Sequence, residues 1–288
     1  MSDIVSYLMP WEFSPTVLIT TLLVLGSYTR GLSALRRAGM GPGVWRPLTF
    51  LCGLLLVYGS LQSRFDYLSQ HMFWVHRLQH LILHHLGPVL LILSFPGEVI
   101  QRGLPLVFRE RILHPLMRLR WIDGIFRFVQ HPLVAPLLFV GLIYLWLIPT
   151  VHFTAMLDAD RYRLMNWSMV VDGLLFWWLM LTPSRLQRAT AISYPRRLVI
   201  LSVVTLLQIL LGAHIALHKS ELYGVYAICG RAWAISPLED QELGGLITWI
   251  PPAMMSGFAI LVVLHHILQS SDEPRLAVQG LAHDAPAR

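Results

Sequence analysis

Charge is scarce in this chain. Only 13% of its 288 residues are Asp, Glu, Lys or Arg, about half the share of a typical soluble domain, which is near 25%. That shortage excludes an ordinary water-facing surface over most of the molecule. There is no internal repeat, which excludes a solenoid or propeller, and no glycine-rich phosphate loop. No stretch offers a nucleophile, a base and an oxyanion site together, so an enzyme is not expected. Cysteine is limited to Cys52 and Cys229; in the topology below they fall on opposite sides of a membrane and are not expected to form a disulfide.

What is present is apolar and arranged in blocks. Hydrophobic residues make up 55% of the chain and mean hydropathy is +0.59. The blocks approach the roughly 20 residues that an α-helix needs to cross a bilayer. The expected fold is therefore all-α: a polytopic membrane protein with seven transmembrane helices in one bundle, at about 15–30, 47–62, 73–95, 132–150, 164–182, 198–217 and 248–269. Residues 1–270 form the transmembrane domain. The polar tail 271–288 lacks helical periodicity and is expected to be disordered. Asp3, Trp11 and Glu12 precede the first block, and no small-residue cleavage pattern follows it, so a removable signal peptide is not expected.

Arginine sets the expected orientation. Arg30, Arg36, Arg37 and Arg46 lie in the first loop. Arg102, Arg109, Arg111, Arg118, Arg120 and Arg127 lie in the third, and Arg185, Arg188, Arg196 and Arg197 in the fifth. The positive-inside rule makes these loops cytoplasmic, with the N-terminus outside and the tail inside. This arginine collar accounts for the net charge of +6 and the pI near 9.7, so nucleic acid is not an expected partner. Within the third loop, Leu113–Phe128 alternates arginine with apolar residues, as an amphipathic helix against lipid head groups would.

The chain is organised around QHMFWVHRLQHLILHHLGP, residues 70–88. On a helix Met72, His76, His80 and His84 form one stripe four residues apart, while His85 points elsewhere. Imidazoles inside a membrane are costly and mark function by default. His71, Met72, His76, His80, His152 and His214 all fall on the expected outer side. Imidazole and thioether donors together suit copper, Cu(I) above all. His76 and His80 are about 6 Å apart along the axis at 1.5 Å per residue, close enough to share a metal. The competing account is hydrogen bonding between helices, worth about 0.6–2 kcal/mol per bond. A third is haem, with His80 and His214 as axial ligands from facing helices. Asp172 is an acid inside the fifth block, a candidate for function or for a bond to a neighbouring helix.

Three segments resemble the CtaG family of cytochrome c oxidase assembly factors: HRLQHLILHHLGPVLLIL (76–93), DGLLFWWLML (172–181) and SPLEDQELGGLITWIP (236–251). The resemblance covers about residues 15–270 and implies a seven-span assembly factor for haem–copper oxidases. It would bind or deliver copper at its outer face in the bacterial inner membrane. It also implies oxidase subunits as partners, with a periplasmic copper chaperone and membrane lipids beside them. By position the motif histidines are His76 and His80, and His71, Met72, His152 and His214 are further copper candidates. Glu239, Asp240 and Gln241 are assigned to orienting the site or docking the oxidase. The chain departs from the family pattern at Arg77, where methionine is usual, and at Asn166, where a histidine is expected. The alternatives to copper delivery are a haem-binding membrane redox protein and a scaffolding assembly protein without metal.

Overall fold

The computed structural model of the chain describes residues 12–187 and 192–283. Asp3, Trp11, Arg188 and tail residues 284–288 lie outside the described residues. The described chain is helical, with no strand. Its main helices are α1 (Pro15–Arg37), α2 (Trp45–Gln62), α3 (Arg64–His71), α4 (Phe73–Leu93) and α5 (Pro96–Gly103). Short helical turns over 106–117 lead to α6 (Arg120–Val129), α7 (Val134–Leu147), α8 (Pro149–Leu157), α9 (Ala159–Leu181), α10 (Ser184–Gln187), α11 (Tyr194–Leu217), α12 (Val225–Cys229) and α13 (Pro237–His283). The last helix thus continues through most of the stretch whose composition suggests a disordered tail.

Four of these are single helices long and apolar enough to cross a membrane: α1, α9, α11 and Pro237–Gln269 of α13. Three bent pairs would raise the count to seven. The α2–α3 pair turns by 58°, α4–α5 by 75° and α6–α7 by 67°. The first two bends have local causes. Ser63 leaves helical geometry and its hydroxyl accepts the Phe65 N–H, starting α3 afresh. Phe95 adopts φ 49° ahead of Pro96, a left-handed conformation costly for a bulky side chain, and the Arg46 guanidinium lies 5.2 Å from its ring centroid. The amphipathic helix expected over Leu113–Phe128 is interrupted at Arg118–Leu119, and the 97–131 region is several short helices. Of these, α6 carries the exposed Trp121, Ile125 and Phe128 together with an Asp123–Arg127 ion pair.

Large apolar side chains such as Leu22, Leu23, Leu137, Leu206, Leu210 and Leu261 stand exposed along the long helices. On a soluble protein such patches would be a liability; facing hydrocarbon they are at home. The two free cysteines are Cys52, exposed, and Cys229, half-buried.

At the centre stands α4, which contacts α2, α3, α9 and α13. Its residues Phe73, Val75, His76, Arg77, Gln79 and His80 are buried, as are Leu83, His84 and His85. The helix is widened into a π turn over Ile82–Leu86. That extra residue in the turn brings His85 inside as well as His84, although ordinary helical spacing turns it away. Backbone then packs on backbone: a Cβ on Gly173 of α9 would stand 2.5 Å from the His84 carbonyl oxygen.

Gly173→Ala is therefore expected to lower the thermal unfolding midpoint, with a cost of about 1–3 kcal/mol for an overpacked contact. Gly26→Ala, where a Cβ meets nothing within 4 Å, should leave the midpoint within about 0.5 kcal/mol of the wild type.

Candidate functional site

The first turn of α4 has four backbone N–H groups that its own helix cannot satisfy. Asp240, buried at the start of α13, supplies two of the acceptors. Its Oδ2 accepts from Phe73 N–H at 3.1 Å and its Oδ1 from Trp74 N–H at 2.9 Å. Negative charge at a helix N-terminus is stabilised by the aligned peptide dipoles, and Arg231 Nε lies 3.5 Å from the same carboxylate. The neighbouring motif residues do parallel work. Glu239 and Ser236 exchange bonds at 2.8 and 3.2 Å, a capping box that starts α13. Gln241 accepts from Leu222 N–H at 2.7 Å and donates to the Ile215 carbonyl at 3.2 Å, tying α13 to the end of α11 and the following loop. Gly244 and Gly245 leave room for the Phe73 ring and for the backbone of Ala216. Asp240 thus caps the histidine helix, while Glu239 and Gln241 fix the start of the helix that carries it.

One turn into α4 the imidazoles meet. His76 and His80 have ring centroids 4.3 Å apart, and His152 of α8 brings its ring to 5.1 Å from His76. All three are at most 1% exposed. Their hydrogen bonds separate them. His152 Nδ1 is 3.0 Å from the Trp146 carbonyl, which only accepts, so Nδ1 carries the proton and Nε2 accepts from the Tyr226 hydroxyl at 2.9 Å. Helix α8 lies past the break that ends the fourth apolar block, and burial there holds the His152 pKa down, to about 3, so the ring is neutral.

His80 is engaged in the same way. The Arg77 guanidinium can only donate, and its Nη1 is 3.4 Å from His80 Nδ1; Nε2–H then donates to Asn166 Oδ1 at 3.3 Å. The two departures from the family pattern converge on this one ring. Arg77 is anchored in turn by Thr248 Oγ1 at 3.0 Å. His76 is different: neither ring nitrogen has a partner among the described residues. A buried polar atom without a partner costs about 1–3 kcal/mol and calls for a ligand or a water.

The other candidates are placed apart. Met72 is fully buried in the extended link before α4. His71 is half-buried and gives its Nδ1–H to the Tyr67 carbonyl at 2.8 Å. His214 is exposed on α11, its ring beside His218. Among the described residues no group of three His, Cys, Asp or Glu side chains is arranged to hold a metal ion.

Sequence reading missed the polar support on the other side of the cluster. Asp66 Oδ1 accepts from Gln79 Nε2 at 2.7 Å and lies 2.8 Å from the Tyr162 hydroxyl, which is also 2.8 Å from Ser69 Oγ. The signal was Gln79 inside the histidine stretch, a polar residue that burial obliges to find partners. Beside this network lies a cavity of about 230 Å³, lined by Asp66, Gln70, Met156, Tyr162 and Asn166 among others. It reaches Asn166, the partner of His80. Below the cluster a space of about 10 Å³ lies against His80, His84 and His85, room for one water or ion and not for a porphyrin.

A family model described as cytochrome c oxidase caa3 assembly factor matches residues 26–270. An uncharacterized protein of Mycobacterium bovis is 29% identical over 251 residues, 83% of this chain and 36% of its own length. An uncharacterized protein of Mycobacterium leprae is 27% identical over 259 residues, 86% of this chain and 38% of its own. The chain spans little more than a third of the length of these relatives. No solved structure matches it.

Asp240→Ala removes both acceptors from the start of α4 and should cost about 0.5–2 kcal/mol, the range for a lost helix cap. Asp240→Asn keeps Oδ1 for Trp74 and should cost less. Thermal unfolding of the two variants in detergent reads the difference.

Proposed function

The chain belongs to the cytochrome c oxidase caa3 assembly factor family, and on that premise we propose that it holds copper for an oxidase being assembled. The observation that carries this reading is His76, a wholly buried imidazole whose two nitrogens have no partner among the described residues, set between the rings of His80 and His152. Copper is cargo here. Neutral imidazoles with a nearby thioether suit Cu(I), and Met72 and Met156 are the sulfur donors closest in the chain to these rings.

His76 takes the ion first because its lone pair is not engaged. His80 joins by releasing the long bond from Arg77, and His152 by releasing Tyr226. Each exchange gives up a hydrogen bond, at 3.4 Å for His80 and 2.9 Å for His152, to make a metal bond. The cost of the exchanges keeps retention modest, as a delivering protein requires. A buried guanidinium beside the site also weakens the hold on any cation, and on a divalent one most.

On this reading the chain sits in the bacterial inner membrane with its N-terminus outside and its arginine-rich loops in the cytoplasm. The cavity at Asp66, Tyr162 and Asn166 is the outer entrance, so copper reaches His80 and His76 without crossing the bilayer. Oxidase subunits receive it and a periplasmic copper chaperone supplies it. The exposed arginines and apolar residues of α6 rest against lipid head groups. The role requires no catalysis by the chain.

Copper analysis of the purified protein tests this. His76→Ala should lose most of the copper that the outer cluster holds, and His76→Ala/His80→Ala all of it. Equal copper in wild type and double variant would end the proposal for this pair. Deleting the gene should lower assembled oxidase activity, with partial recovery in excess external copper; unchanged oxidase would count against the function itself.

A further inference from the structure

Four ring nitrogens in the buried histidines have no hydrogen-bond partner among the described residues: both of His76, Nδ1 of His84 and Nδ1 of His85. The last two lie deeper in α4, within the π turn, and the outer cluster does not use them. We propose that His84, His85 and the Met169 thioether form a second, inner Cu(I) site in the middle of the bundle. This rests on the reading that the protein handles copper, and it gives that copper a second position.

The Nε2 side of each ring already has a polar partner. His84 Nε2 is 3.0 Å from Asp172 Oδ2. A carboxylate there accepts the Nε2–H and leaves the Nδ1 lone pair facing no protein partner. This carboxylate–histidine arrangement is how ligating imidazoles are usually held. His85 Nε2 is 2.9 Å from the Gln208 side-chain amide, whose Oε1 has no partner. Turning that amide over sets Oε1 against an Nε2–H and leaves His85 Nδ1 for a metal in the same way.

The rings are also held mechanically. Phe139 stacks on His84 with centroids 4.0 Å apart, and Trp177 Nε1 donates to the His84 carbonyl at 3.0 Å. The His84 and His85 centroids are 5.0 Å apart. Both rings line the space of about 10 Å³ that Met169 and His80 also line. In the outer cluster, by contrast, His80 and His152 have both ring nitrogens engaged.

Charge selects the ion. Arg77 and Thr248 line the same space, and the Arg77 guanidinium repels any cation placed there. Asp172, through His84, offsets one positive charge. A single-charged soft ion is tolerated where a divalent one is not, and a donor set of two imidazoles and a thioether points to Cu(I). His80 lines this space and its ring centroid is 4.3 Å from that of His76, so it stands between the two positions.

The test uses the full-length protein in detergent, without oxygen, titrated with Cu(I) against a chromogenic Cu(I) chelator. Wild type should retain one copper at each position. His76→Ala/His80→Ala should keep the inner copper, with nitrogen and sulfur scatterers in its X-ray absorption spectrum. Adding Met169→Leu to that variant should remove the sulfur component while nitrogen persists. His84→Gln/His85→Gln should lose the inner copper. Asp172→Asn, which keeps the shape of the side chain, should weaken it by about 10–100-fold.

Copper content unchanged in His84→Gln/His85→Gln would overturn the inner site, the space then holding a buried water only, and would leave the outer reading intact. A sulfur signal that survives Met169→Leu would overturn the ligand set. Copper lost in His84→Gln/His85→Gln but kept in full in His76→Ala/His80→Ala would support the inner site and sink the outer one. No copper bound by wild type would overturn both.

Discussion

The carboxylate of Asp240 holds the start of the histidine helix, and the rest of the site depends on that grip. A helix that begins inside an apolar bundle exposes N–H groups that lipid cannot satisfy. Here a buried acid from the last helix meets two of them, fixing where α4 begins and therefore the height of every histidine on it. Glu239 starts the acid's own helix and Gln241 fastens that helix to the end of α11. Three consecutive polar residues thus join three helices, and the two glycines after them let those helices approach.

Below that anchor the buried polar groups are unequally satisfied, and the inequality carries the chemistry. Most of them follow the expectation that buried donors and acceptors are paired: His80 with Arg77 and Asn166, His152 with Trp146 and Tyr226, Asp66 with Gln79 and Tyr162. Among the described residues, four buried ring nitrogens, on His76, His84 and His85, have no partner. An apolar bundle has no general reason to keep such atoms, since each is destabilising until a ligand or a water arrives. Their restriction to one helix, above and below His80, gives the bundle a polar axis that ends at Asp172.

The two departures from the family pattern belong to this balance. Asn166 accepts from His80 where a histidine would have offered another lone pair, and Arg77 donates to the same ring. Together they occupy both ring nitrogens of His80.

Much of the fold was legible in the sequence because lipid simplifies the rules. Low charge and long apolar blocks specified an all-helical chain, and helical spacing put His76 and His80 on one face whatever else they touch. Tertiary structure decided the rest. Spacing within one helix cannot say that Asp240 reaches back to Phe73, that His152 and not His214 closes on His76, or that a π turn brings His85 inside. Those depend on which helices adjoin and how closely, which rests on contacts such as Gly173 against His84, between residues far apart in the chain. The sequence by itself determined which donors exist and on which helix they ride; only the packing decided which of their nitrogens were left without a partner.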